Sequence, residues 1–193
     1  KAWRNICKSG DRGKRTVRQA RQAYLRGAGW SGLACGSKFK GLYSLAIALW
    51  YCPQEDMGET LGDLVFACML WQEDQKGKRY GKKLRDWLKK EKFSGRSTYF
   101  NKDRQYLQLE FLAAYYLEPK NRLQEILDRE EDCEICHFCT SCVCGRMEGV
   151  RIAFLLRTGR GQEAQERLKR NLERQPWDRY MQAMKHAAFP ELS

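Results

Sequence analysis

Proline is scarce in this chain, with four in 193 residues, and histidine scarcer still, with two. No run of alternating β-branched and polar residues extends beyond a few positions, which leaves no pattern for a half-buried strand. The longest apolar run, "GLYSLAIALWYC" (41–52), is far shorter than the roughly 20 residues a membrane-spanning helix needs. The common catalytic signatures are missing too: there is no phosphate-cradling G-x-x-x-x-G-K-[ST], no G-x-S-x-G and no H-E-x-x-H. His137 lies inside a cysteine cluster, and His186 lies in "MKHAAF", which reads as a packing helix. Carboxylates are plentiful, but they are spaced as surface partners of Lys and Arg. No enzyme is expected. Residues 1–19, "KAWRNICKSGDRGKRTVRQ", are basic and lack the apolar centre of an export signal. The expectation is an intracellular protein, cytoplasmic or nuclear, in a reducing compartment where disulfides are not the default. Lys1 is not a methionine, so the sequence leaves open what precedes it.

What remains is helix-forming, apolar and basic. The chain is 42% hydrophobic and 12% aromatic, enough to bury a core, and carries a formal net charge of +12 with a pI near 9.4. Ala, Leu, Arg, Lys, Gln and Glu dominate its long segments and favour helices. The fold class is therefore all-α: helical hairpins stacked as an irregular bundle or short solenoid, with a small Cys-rich zinc loop. Four segments are expected within one continuous domain: a basic N-terminal segment with an Arg-rich helix (1–40), a helical core (41–131), a Cys-rich metal loop (132–145), and a C-terminal hairpin with a tail helix (146–193).

Periodicity places the helices. Residues 14–26 read as one, with Val17, Ala20, Tyr24 and Ala28 on its apolar side, ended by the glycines of "GAGWSGLACGSKFKG", which reads as a loop. Residues 41–52 are apolar nearly all round and read as a buried helix stopped by Pro53. Residues 57–75 resume with Leu61, Leu64, Val65 and Cys68 as a stripe. Cys52 and Cys68 fall on apolar faces and read as inert core thiols. A basic helix over 76–96 has Leu84, Trp87 and Leu88 as its apolar edge. Residues 103–119 turn Leu107, Phe111, Ala114 and Tyr115 inward. Residues 119–132 turn in Leu123, Ile126 and Leu127 and end acidic.

"DCEICHFCTSCVCG" (132–145) holds five of the nine cysteines. The spacing Cys133-x2-Cys136-x2-Cys139-x2-Cys142 lets paired thiolates curl round one ion, and Zn²⁺ takes four such ligands tetrahedrally. Cys133 and Cys136 are the firmest pair, Cys144 or His137 could replace Cys139 or Cys142, and Cys7 and Cys35 could also reach the site. A thiolate-rich closed site is structural rather than catalytic. An iron–sulfur cluster is the alternative cofactor, since it also uses repeated C-x2-C spacing. Disulfides between such close cysteines would close small strained rings.

Residues 148–176 resemble a tetratricopeptide-type helix pair. Leu155 and Leu156 lie near the end of the first helix and Gly159 in the turn. Ala164 is the small residue at the crossing, Leu168 and Leu172 follow, and Pro176 comes after the second helix. Asn171 stands where the family prefers a small apolar residue, and no second copy of the 34-residue period is visible. The resemblance implies a helical hairpin that packs on its neighbours.

Charge supplies the functional reading. Residues 1–40 hold eleven Lys/Arg against one acid, an excess that suits a polyanion. Lys14, Arg15, Arg18 and Arg21 on the first helix, with Lys82, Lys83, Arg85, Lys89 and Lys90 on the second basic segment, are the expected contacts to nucleic acid, RNA in particular. Trp3, Trp30, Tyr80 and Trp87 are interleaved with these charges, where they could stack on unpaired bases or pack in the core. The alternative is a protein-interaction adaptor whose helical groove takes a partner's helix or peptide. A compact, Trp-, Cys- and Arg-rich chain of this kind also suits a viral accessory or regulatory protein engaging host factors. For the metal, mass spectrometry under non-denaturing conditions is expected to show one zinc, lost in the Cys133→Ser/Cys136→Ser variant. The visible absorbance of an iron–sulfur cluster would refute zinc.

Overall fold

Residues 57–70 are the centre of the molecule, for a reason visible in their composition: "MGETLGDLVFACML" has an apolar or small residue at almost every position and so has no side to give to water. The structure, a computed structural model, describes residues 10–90, 102–129 and 142–192. Among the described residues there are nine α-helices, two short 3-10 turns and no strand. They are α1 (Gly10–Ala34), α2 (Lys38–Tyr51), α3 (Met57–Leu70), α4 (Asp74–Lys90), α5 (Lys102–Tyr115), α6 (Lys120–Asp128), α7 (Cys142–Arg157), α8 (Gly161–Arg174) and α9 (Arg179–Ala188). Helix α3 is buried except at Met57 and Glu59 and packs against α2, α4, α5, α7 and α9. The all-α expectation therefore holds. None of the described helices is long and apolar enough to cross a membrane.

Two expectations about the N-terminal third are corrected. The first helix does not stop at its glycines but runs on to Ala34, because Gly29 and Gly32 form a packing seam rather than a loop. A Cβ at Gly29 would stand 2.7 Å from the Leu45 side chain, and one at Gly41 would stand 2.2 Å from that of Leu33. The missing side chains let α1 and α2 close on each other almost backbone to backbone. Only residues 35–37 form the turn, with Gly36 at a φ of +76°. The buried side of α1 carries Gln22, Gly29, Trp30 and Leu33, while Ala20 and Tyr24, read as apolar-face residues, are exposed and Val17 and Ala28 half-buried.

Helices α2 and α3 exchange roles relative to the expectation. The run at 41–52, apolar nearly all round, is an outer helix. It buries Gly41, Leu45 and Ala48 but leaves Phe39, Tyr43 and Trp50 at 80%, 59% and 83% exposure. Helix α3, read as merely striped, is the one surrounded. Trp30 closes the core at 0% exposure, its ring centroid 4.3 Å from Tyr180 and 5.7 Å from Phe66. This contact joins α1, α9 and α3.

The C-terminal hairpin forms as the resemblance implied. Gly159 turns the chain at a φ of +82°, and Ala164 and Leu168 are fully buried. Asn171, the departure from the pattern, donates its amide to the Arg167 carbonyl at 2.9 Å and to Glu148 at 3.4 Å. Glu148 also takes Arg167 and Arg151 at 2.8 Å each, so the α7–α8 pair is clamped by charge at a place where the family pattern has small apolar packing.

The seam yields a matched pair of variants. Gly41→Ala is expected to destabilise by about 1–3 kcal/mol through overpacking. Gly27→Ala, in the same hairpin with nothing within 4 Å of the added atom, is expected to stabilise by about 0.5–1 kcal/mol through reduced chain entropy. Urea midpoints of the two variants check both signs.

Candidate nucleic-acid interface

A buried polar network fixes α1, which carries one row of the surface, to the helices beneath it. Asp63, in the middle of apolar α3, is fully buried, and a lone charge there would be prohibitively expensive. Arg146 of α7, also buried, reaches it at 2.8 Å and reaches Glu59 at 2.9 Å, and its Nε donates to the Gln108 side chain at 2.8 Å. Arg26 of α1 takes the other Asp63 oxygen at 2.6 Å. Gln105 of α5 donates to Glu59. Two guanidiniums, two carboxylates and two amides thus join α1, α3, α5 and α7. Burial alone would push the Asp63 carboxyl up, but Arg26 and Arg146 together hold it below the ordinary carboxylate range. Burial opposes the charge of Arg146 as well, and Glu59 and Asp63 overcome it. Alongside, Gln22 donates to Thr60 at 3.0 Å.

The outer surface above this network is laid out in rows. Helices α2 and α4 run side by side in the same sense. Lys38 pairs with Glu73 at 2.6 Å where both begin, and the Trp87 indole N–H donates to the Gln54 carbonyl at 3.1 Å near their far ends. On α2, Phe39, Tyr43 and Trp50 share one exposed face, and the first two rings are stacked at 5.9 Å with 7° between their planes. On one flank, Arg18 of α1 lies 3.5 Å from the Trp50 carbonyl and the Arg21 guanidinium lies 5.4 Å from the Tyr51 ring. On the other flank, α4 places Lys76, Arg79, Lys83 and Lys90 along one side at helical spacing, interrupted by Asp86. A groove of about 380 Å³ lies between α2 and α4, its apolar lining including Leu42, Ala46 and Leu64. Its acid, Glu73, is held between Lys38 and Lys76, whose hydrogen bonds lower its carboxyl to about 2.

The expected contact residues divide accordingly. Arg18, Arg21, Lys82, Lys83, Lys89 and Lys90 are exposed. Arg15 is exposed but paired with Glu55, and Arg85 is half-buried and paired with Glu118 at 2.6 Å. The side chain of Lys14 lies outside the described residues. Lys82, Lys89 and Arg85 sit on the side of α4 away from the groove, so the second basic segment is two strips rather than one. Of the aromatics expected to stack, Trp30 and Tyr80 are core residues, Trp87 packs against Gly58, and Trp3 lies outside the described residues. The exposed aromatics of α2 were missed because their helix reads as buried. Their i, i+4, i+11 spacing on one face was the available signal.

Cys133, Cys136, Cys139 and His137 of the expected metal site lie outside the described residues. Among the described residues no group of three or more His, Cys, Asp or Glu is placed to hold a metal. Two cysteines of the expected loop, Cys142 and Cys144, lie in the first turn of α7, which begins at Cys142. Burial pushes the Cys68 thiol up to about 12, and it also raises that of Cys52 against hydrogen bonds from Thr60 and Gln22, as suits inert thiols. The comparisons add no relative: no family model, no curated protein and no solved structure matches the chain.

The polar network is open to direct test. Arg146→Ala strands a buried carboxylate and is expected to cost about 3–5 kcal/mol. Because the folded-state value of Asp63 lies below its unfolded value of about 3.9, its contribution is complete above that pH and is lost as pH falls toward the folded value. Urea midpoints between about pH 6 and pH 2 should therefore fall less steeply with acid in Asp63→Asn than in the parent, from a lower starting stability.

Proposed function

We propose that the protein binds nucleic acid, RNA in preference to DNA, through phosphate contacts and without catalysis. The observation that supports this reading most is the placement of exposed Arg18 and Arg21 on α1, with Lys83 and Lys90 on α4, on either side of one aromatic face. Several neighbouring acids are already engaged by other cations, Glu55 by Arg15, Glu118 by Arg85, and Glu73 by Lys38 and Lys76, and Asp86 offsets part of the α4 row. The cationic surplus therefore remains for a polyanion. Such contacts act by releasing counterions from the phosphate chain, and they confer affinity with little sequence preference. Exposed aromatics suit unpaired bases, which RNA presents in its loops, bulges and ends. A structural Zn²⁺ held by Cys133, Cys136, Cys139 and Cys142, with His137 and Cys144 as alternates, belongs to the same proposal and rests on spacing alone.

The salt dependence of binding carries the test. Affinity for a generic RNA should fall linearly on a log–log plot against salt, and each contacting cation removed should reduce the slope by about 0.7. Arg18→Ala/Arg21→Ala and Lys83→Ala/Lys90→Ala should therefore each flatten it by about 1.4. No detectable binding by the parent protein at about 50 mM salt would overturn the reading.

A further inference from the structure

We propose that the α2 face is a single-strand site, in which Phe39, Tyr43 and Trp50 stack on unpaired bases while cations from α1 and α4 hold the phosphates on either side. The inference rests on the nucleic-acid reading above and narrows it to one substrate class and one face.

Three observations carry it. The first is the exposure of the rings. An apolar aromatic at about 80% exposure keeps unfavourable contact with water, and here two such residues and a third at 59% share one helix face. The second is their arrangement. The rings of Phe39 and Tyr43 are already parallel to within 7°, which presents a flat π-surface at the end of the pair. From position 43 to position 50 the helix rises about 10.5 Å. That is three intervals of about 3.4 Å, the spacing of stacked bases along a strand. Between them on the same face stand Ala46 and Ile47, both half-buried. Their side chains are apolar and shorter than the rings, so they make a low floor on which the edge of a base can rest. That rise along the helix matches the length of two consecutive bases stacked between the Tyr43 and Trp50 positions. The third observation is the charge on both flanks. Arg18 and Arg21 stand beside the Trp50 end, and Arg79 lines the groove on the other side, next to Lys76, which is paired with Glu73. A backbone following either flank keeps its phosphates beside cations while its bases turn toward the rings, the combination by which proteins hold single strands with little regard for sequence.

The alternatives fit less well. A duplex hides its base faces and would leave the three rings without a function. An acidic peptide helix would use the cations and the groove that Phe39 and Tyr43 border, but it would leave Trp50, which does not line that groove, without a contact.

The experiment compares fluorescence anisotropy of a labelled 20-nucleotide oligouridine, the same length of abasic sugar-phosphate chain, and a 20-base-pair RNA duplex, at low and at physiological salt. The expected result is that oligouridine binds most tightly. Tyr43→Ala and Trp50→Ala should each weaken it by at least about fivefold, the lower end of one base–aromatic stack, with little effect on the abasic chain. Trp177→Ala, an aromatic 75% exposed elsewhere on the surface, should change nothing. All three ring positions are at the surface, so the variants are expected to fold, and circular dichroism verifies that they do. Equal binding of all three ligands, untouched by the ring variants, would overturn the single-strand site while leaving phosphate binding intact. Binding of none of them at low salt would overturn the nucleic-acid reading itself, and binding of labelled poly-glutamate, weakened by the ring variants, in the absence of RNA binding would assign the face to an acidic protein partner.

Discussion

The arrangement depends on Asp63. A carboxylate buried at the centre of α3 requires compensation, and the two guanidiniums that supply it come from opposite ends of the chain, Arg26 on α1 and Arg146 on α7. Once both are in place, Glu59 and the amides of Gln105 and Gln108 complete the hydrogen bonding. The consequence is positional. Helix α1 is locked against α3, and α2, closed onto α1 by the Gly29–Gly41 seam, is held outermost. The penalty for breaking such a network exceeds the gain from forming it, since any one deletion leaves a buried charge alone. The α1 row, and α2 closed onto it, therefore rest on an interaction beneath them, while α4 is placed by its packing on α3.

Placed over that framework, the exterior divides into layers of different chemistry. The aromatic face of α2 is central, with arginines of α1 on one side and lysines and Arg79 of α4 on the other. Glu55, Glu73 and Glu118 near these rows are engaged in pairs, so they trim the positive field without erasing it. The opposite strip of α4, with Lys82 and Lys89, faces another direction and adds to long-range attraction more than to local contact.

Helix content, the α7–α8 hairpin and the core positions Leu123 and Ile126 were legible in the sequence because each rests on local periodicity or turn chemistry. The roles of α2 and α3 were not. Both are apolar nearly all round, and which becomes central depends on partners far away in the chain. Asp63 and Arg146 were written in the sequence as charges set among apolar and small residues, a signal that demands a partner without naming it. The glycines at 29, 32 and 41 misled for a related reason: glycine marks both turns and close helix crossings, and only the facing residue, Leu33 or Leu45, decides between them. For the candidate site, the cations were found by counting charge. The rings of Phe39, Tyr43 and Trp50 were hidden by the same apolar pattern that made α2 look buried.

The most direct test of this account is ultraviolet crosslinking of the protein to oligouridine, followed by mass spectrometric mapping of the attached nucleotide. A single strand seated on α2 gives adducts on the peptide spanning Lys38–Tyr51, at Tyr43 or Trp50, that are competed away by unlabelled single strands. Adducts confined to other segments, with residues 38–51 unmodified while RNA remains bound, would contradict it.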